Sequence, residues 1–221
     1  MIFALIKHIQ PMKKVRVSDE VMSEFASRGR EVASKGLVNC SSGNISFRLN
    51  EECILISQTG CWLENMTEVN ISVMNIRDGS SINQIIPSGE WKLHAGIYKQ
   101  RPDVNVILHF QSPNATTLAC IDKKPDYNAI IEIPLYIGNI PHVPFLMPGS
   151  IELANAVAEQ CITNNVIQLS NHGQVAIGRN YKEVVERAVF FELSCSIIIK
   201  AGVNLKSIPE VDLGMLKSYR K

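Results

Sequence analysis

"PSGEWKLHAGIYKQRPDVNVILHFQSPN", residues 87–114, sets out a helix, a stop and a strand in succession. Ser88 precedes a run predicted to be helical, with Glu90 in its first turn, where the macrodipole stabilises a carboxylate. The helix cannot run past Arg101, because Pro102 steers the residue before it out of the helical region. "NVILHF" then reads as a buried strand, a short continuous apolar run. Pro113 occupies an acceptable first-turn position for the next helix, "SPNATTLACI". Side chains two apart on a strand share a face, so His109 and Gln111 project together while Phe110 turns away. A metal site, a metal site with one leg altered, and a polar strand end all fit these residues.

Working outward, Ser18 to Lys35 reads as a helix, with Ser18 as N-cap, Asp19 and Glu20 in the first turn and Gly36 at the C-terminal end. Val21, Met22, Phe25, Val32 and Ala33 make its buried stripe. "NISFRL" (44–49) and "CILIS" (53–57) form a hairpin across Asn50-Glu51-Glu52, and "SVMNIRDGSSI" adds a strand turned by Asp78-Gly79. On the far side, "AIIEIPLY" and "HVPFL" are expected to be short extended pieces punctuated by Pro134, Pro141 and Pro144. Ser150 caps "IELANAVAEQCI", where Ile151, Ala154, Val157, Ala158 and Cys161 keep helical period. "VIQLS" and "QVAIG" flank the turn Asn171-His172-Gly173, and a long helix runs from about Tyr181 to near Gly202 before a polar tail. The pattern lacks the regular alternation of a doubly wound sheet. It predicts an α/β fold, a single domain with a mainly antiparallel or mixed central sheet flanked by helices. That domain spans 18–221, after an N-terminal extension of 1–17.

Bulk composition narrows the function. With 221 residues, 46% hydrophobic and 19% charged, the chain supports one substantial core. A net charge of +1 gives no electrostatic argument for nucleic acid or an acidic membrane. The cysteines (Cys40, Cys53, Cys61, Cys120, Cys161, Cys195) form no C-x-x-C pair, which fits a reduced compartment. The opening apolar burst lacks a positive n-region and is too short to span a bilayer. A cytoplasmic protein with no nucleic-acid or membrane partner is expected.

Three places gather chemistry. "NCSSGNIS" (39–46) combines Ser41, Ser42, Gly43 and Asn44, which form either an anion-binding nest or an ordinary turn. "QTG" (58–60) is a second, weaker loop of the same kind. Glu90 is either an acid/base or a plain helix-start acid, and His94, four residues on, is placed to hydrogen-bond it. His109 with Gln111 and His172 in its tight turn are strand-end groups which, with Glu90, begin to resemble a zinc site beside an acid. No phosphate-binding or dinucleotide glycine motif is present.

"GLVNCSSGNIS", "ISQTG", "PSGEWKLHAGIYKQRPDVNVILHFQSPNAT" and "LSNHGQVAIG" together resemble the class II aldolase/adducin family over about residues 18–202, and within it the L-fuculose-phosphate aldolases. The resemblance implies a homotetramer with active sites between subunits and a Zn2+ or other divalent ion held by three side chains. His109, Gln111 and His172 match these ligand positions, although Gln111 stands where the family has histidine, so metal occupancy is expected to be reduced. It further implies Glu90 as acid/base and Tyr219 as a catalytic group reaching a neighbouring subunit. Ser41, Gly43, Asn44, Thr59, Gly60 and Ser88 become the substrate's phosphate-binding residues, with Gly89 in place of a second serine. The implied reaction is metal-dependent cleavage of a ketose phosphate, L-fuculose-phosphate-like, through an enediolate. A catalytically silent adducin-like binding protein, and a sugar-phosphate epimerase or other lyase, are the alternatives.

Overall fold

Seven strands form one sheet: β1 (Asn44–Arg48), β2 (Cys53–Ser57), β3 (Ile71–Asn75), β4 (Val106–Phe110), β5 (His142–Val143), β6 (Val166–Leu169) and β7 (Gly173–Gly178). Their order is β3-β2-β1-β4-β7-β6-β5, in a computed structural model that describes residues 16–219. The proposed N-terminal extension therefore lies almost wholly outside the described residues. Every pairing is antiparallel except β5 with β6. The β1–β2 hairpin closes on Asn50, whose Oδ1 accepts from the N–H groups of Glu52 and Cys53, both at 2.9 Å. That side-chain turn explains the predicted hairpin site.

All five β4 residues are buried, because helices cover both faces of the sheet. On one face Leu108 and Phe110 join Phe25 of α1 (Asp19–Ser34) and Phe191 of α5 (Tyr181–Ala201). On the other, Ile107 joins Leu93 of α2 (Trp91–Gln100) and Val157 of α4 (Ile151–Gln160). Phe25, Phe110 and Phe191 are fully buried, and truncating any one to alanine costs about 3–5 kcal/mol by lost transfer energy plus a cavity. By strand alternation His109 shares the Ile107 face, the side of α2 and α4.

The helix caps follow the sequence. Ser18 Oγ accepts from Val21 N–H at 3.4 Å and Ser150 Oγ from Leu153 N–H at 3.1 Å. Pro113 opens α3 (Pro113–Ala119) at its first turn. Three expectations are corrected. The 129–137 stretch is not extended: Ile133–Ile137 winds as a π-helical turn, closed by Gly138 N–H donating to Ile133 O at 2.7 Å. Pro134 sits in its first turn, where a missing N–H costs nothing, and Gly138 takes the positive φ of 86° that ends it. The polar tail contains a helix, α6 (Glu210–Ser218), packed on that π turn; Gly214 and its charged residues dilute the apolar period. Ile151 is exposed and Leu153 takes its place in the α4 stripe. The six cysteines are free. No helix among the described residues is long and apolar enough to cross a membrane.

Candidate active site

Strand register brings the chemistry to one end of the sheet. Asn44, which starts β1, pairs with His109 near the end of β4, and Phe110 pairs with Gln174 at the start of β7. β2 and β6 also run toward this end of the sheet and stop at Ser57 and Leu169. The 86–90 loop is tied there by Ser88 N–H to Ser57 O at 3.0 Å and Thr59 N–H to Ile86 O at 3.2 Å.

His109 is buried, and its Nδ1–H donates to Gln174 O at 3.0 Å. Nε2 therefore carries the lone pair, the arrangement by which a backbone carbonyl orients a metal-ligating imidazole. Burial, reinforced by the neighbouring His172, pushes its pKa down to about 3, so the ring is neutral. The His172 ring stands edge-to-face with it, centroids 4.8 Å apart. Asn171 at a φ of 54° makes the tight turn that sets His172 there. His172 is also held below its ordinary pKa by burial, and its Nδ1 is buried with no hydrogen-bond partner.

Gln111 joins this pair. Its N–H donates to Leu37 O at 3.1 Å. A Cβ placed on Gly173 would meet Phe110 O at 2.6 Å, Gln111 Cγ at 2.7 Å and His109 Cε1 at 3.2 Å. Glycine thus lets the Asn-His-Gly turn close against both His109 and Gln111. Gly43 behaves alike on the other side, where a Cβ would strike Val38 and come within 3.0 Å of His109 O.

Glu90 is the N-cap of α2 (φ −86°, ψ 8°), one step before the predicted first turn, and its side chain caps nothing. Ser88 Oγ accepts its N–H at 3.2 Å. Burial raises the Glu90 pKa while a hydrogen bond from Gly149 N–H works against that rise. Its Oε2 is buried without a partner. His94 does not bond Glu90. It is fully buried, with Nε2–H donating to Asn44 Oδ1 at 2.5 Å and Nδ1 accepting from Ser46 Oγ at 2.6 Å. Burial pushes its pKa down to about 3.

The residue types suit a divalent cation: two paired imidazoles, one with a buried Nδ1 that has no hydrogen-bond partner, and a glutamine whose Cγ packs against the same turn. Among the described residues no group of three His, Cys, Asp or Glu side chains is placed to hold a metal. An amide oxygen is a weaker donor to zinc than imidazole, so a metal held through Gln111 would be bound less tightly than by three histidines.

The residues expected to bind phosphate sit at the same sheet end but differ in exposure. Ser41, Thr59 and Gly60 are exposed, whereas Gly43, Asn44 and Ser88 are buried. Asn44 uses its Oδ1 to accept from His94. Thr59 and Gly60 border an open pocket of about 310 Å³ with Trp62. Larger concavities of about 500 and 540 Å³ lie between helix pairs and contain none of these residues. Tyr219 follows α6, is exposed, and its N–H bonds Leu216 O at 3.1 Å. Among the described residues no hydrogen bond joins it to Glu90, His109 or His172.

Residues 23–199 match the family described as Class II Aldolase and Adducin N-terminal domain. This chain belongs to that family. A 3-oxo-tetronate 4-phosphate decarboxylase of Haemophilus influenzae is 29% identical over 87% of this chain and 94% of its own. An L-fuculose phosphate aldolase of Methanococcus maripaludis is 32% identical over 69% of this chain and 81% of its own. A solved L-fuculose 1-phosphate aldolase superposes with a TM-score of 0.82 at 24% identity, over 91% of this chain and 96% of its own, and shows the shared fold. In this class II aldolase/adducin domain, three groups that shape the site carry no motif of their own: Leu37 O, Gln174 O and Gly149 N–H. All are backbone atoms, invisible to residue type. Only Gly149, followed by the N-cap Ser150, carries a turn signal in sequence.

Proposed function

We propose that this protein is a metal-dependent lyase that breaks a carbon–carbon bond of a ketose phosphate of the L-fuculose phosphate kind. The reading is supported by the edge-to-face pair of His109 and His172, by Gln111 Cγ and His109 Cε1 both packing around Gly173, and by partnerless buried atoms on His172 and on Glu90. A buried polar atom without a partner costs about 1–3 kcal/mol, and a ligand at this point removes that cost.

His109, Gln111 and His172 would hold a Zn2+ or other divalent ion. When bound, that ion supplies Lewis-acid stabilisation of the negative charge that develops on the substrate's carbonyl oxygen as the bond breaks. Glu90, its pKa raised by burial, carries a proton to and from the carbon that gains the electron pair. The loops at Ser41–Asn44, Thr59–Gly60 and Ser88 offer hydroxyls and N–H groups to the phosphate. Tyr219 exchanges a proton at the aldehyde oxygen from a neighbouring subunit of a homotetramer. The apolar side chains of Val203, Val211 and Met215, exposed on a single chain, support such an assembly.

Decarboxylation of a phosphorylated 3-oxo acid is the second reading. It uses the same charge stabilisation and needs no proton exchange at an aldehyde. The decarboxylase relative, matched over 94% of its length, favours it. The discriminating assay supplies the zinc-loaded protein with L-fuculose 1-phosphate and, separately, with 3-oxo-tetronate 4-phosphate. Aldehyde from the first supports aldol cleavage, and CO2 from the second moves the assignment to decarboxylation. Neither product, with metal bound, leaves a binding module of this fold.

A further inference from the structure

We propose that Glu192 is a positioning residue that fixes the turn carrying Gln111, and so the weakest donor of the candidate metal set; this rests on the metal-site reading above. Glu192 lies on α5, yet its half-buried carboxylate serves the start of α3. Oε2 accepts from Ser112 Oγ at 2.7 Å and from Ala115 N–H at 2.8 Å. Oε1 accepts from Asn114 N–H at 3.0 Å and from Asn114 Nδ2 at 2.6 Å. Two of these donors are first-turn N–H groups that a helix leaves unsatisfied, and the positive end of α3 favours the charge.

The arrangement is more than capping. Ser112 stands at the N-cap, where a serine hydroxyl normally accepts a first-turn N–H, but it makes no cap bond and donates to Glu192 instead. A local cap has been exchanged for a tether reaching 77 to 80 residues along the chain. No cation pairs with Glu192 among the described residues, so these donors alone compensate its charge.

Gln111 immediately precedes Ser112. Its own N–H is bound to Leu37 O, so its backbone is fixed from α1's side before it and from α5 after it. A glutamine side chain has more rotatable bonds than histidine and is a poorer donor. Its usefulness as a ligand therefore depends on a backbone held to within about 0.5 Å. Glu192 supplies that constraint without touching the metal set itself.

The test uses Co2+ as probe on the purified full chain, wild type and Glu192→Gln, with affinity read by titration and ligand geometry by the visible absorption of bound Co2+. Glutamine keeps the shape of Glu192 but faces one pair of donors with an amide NH2. The expected result is a Co2+ affinity lowered about 10–100-fold, as for other outer partners of metal ligands, together with a changed absorption spectrum of the bound form. Thermal melting of the metal-free variant separates the effect from folding. An unchanged spectrum overturns the inference, whether affinity holds or falls with melting temperature, because a purely structural tether leaves the bound geometry alone. Should Glu192→Gln not fold, Ser112→Ala, which removes one tethering bond, must show the same spectral change in smaller measure, and an unshifted spectrum there overturns it equally. A wild-type protein that binds no Co2+ overturns the metal reading and this inference together, whereas wild-type binding with an unaffected variant overturns this inference alone.

Discussion

His94 Nε2 lies 2.5 Å from Asn44 Oδ1, which ties α2 to the first residue of β1 directly across from His109. The contact joins two segments that the sequence presents as separate motifs. It also determines which way the Asn44 amide faces. His94→Gln keeps a donor for Asn44 at a shorter reach. We expect KM for a phosphorylated substrate to rise roughly tenfold, the loss of about one well-aligned hydrogen bond, with kcat little changed. Steady-state kinetics that show kcat falling with KM constant would place His94 in the chemistry instead.

The same burial has a pH signature. His94 and His109 are held neutral, both with pKa values of about 3, while unfolded histidine titrates near 6.5. Unfolding therefore takes up protons between those values, and stability falls as pH drops from 6.5 toward 3. At pH 5 the loss is about 2 kcal/mol per histidine. Urea midpoints at pH 7 and pH 5 measure it, and His94→Gln should shrink the difference by about 2 kcal/mol, the share of one histidine.

Glu90 has the opposite sign. Burial raises its pKa, so the folded protein binds this proton more tightly than the unfolded chain does. Its ionisation lowers stability as pH rises from the ordinary carboxylate range through the raised value. Glu90→Gln removes that loss and should melt no lower than wild type at pH 7. Turnover should fall about 10²–10⁴-fold, the usual worth of a general acid/base. Unaltered turnover would make Glu90 a structural helix-start acid.

Gly173 admits no side chain. A Cβ there sits 2.6 Å from Phe110 O and 2.7 Å from Gln111 Cγ, and its backbone φ is not positive, so the constraint is packing and not conformation. Gly173→Ala should cost about 1–3 kcal/mol through overpacking and lower metal affinity by displacing Gln111. Calorimetry with and without Zn2+ separates the two effects. Equal melting shifts in both conditions would show that Gln111 is not a donor.

Much of this was legible in the chain. The run from Ser88 to Pro113 carries its helix, stop, strand and next helix start in order. Two-residue alternation in β4 places His109, the strand ends at Phe110 with Gln111 one residue past it, and the Asn-His-Gly turn is where the sequence puts it. What was hidden depends on contacts distant in sequence. The four donors that meet Glu192 at the start of α3 are among these, since helical period on α5 says nothing of its partner. The pairing of His94 with Asn44 was obscured by a nearer candidate, Glu90, at helical spacing. The π turn at Ile133–Ile137 was hidden because an apolar stretch broken by proline reads equally as strand.

Tyr219 tests the assembly. It is three-quarters exposed on the single chain, so a catalytic role requires a second copy. Light scattering at micromolar concentration should report a tetramer, and Tyr219→Phe should lower aldol cleavage while leaving the tetramer and its melting temperature intact. A monomer would remove Tyr219 from the mechanism.

The central claim is that His109, Gln111 and His172 converge on one divalent cation. Zinc titration of Gln111→His against wild type tests it most directly, because imidazole replaces the amide at the same position. The account predicts one zinc per chain bound more tightly by Gln111→His than by wild type, and binding lost when either His109 or His172 is changed to alanine, since two ligands rarely hold zinc against water. A Gln111→His protein that binds zinc no better than wild type would show that the three side chains do not converge.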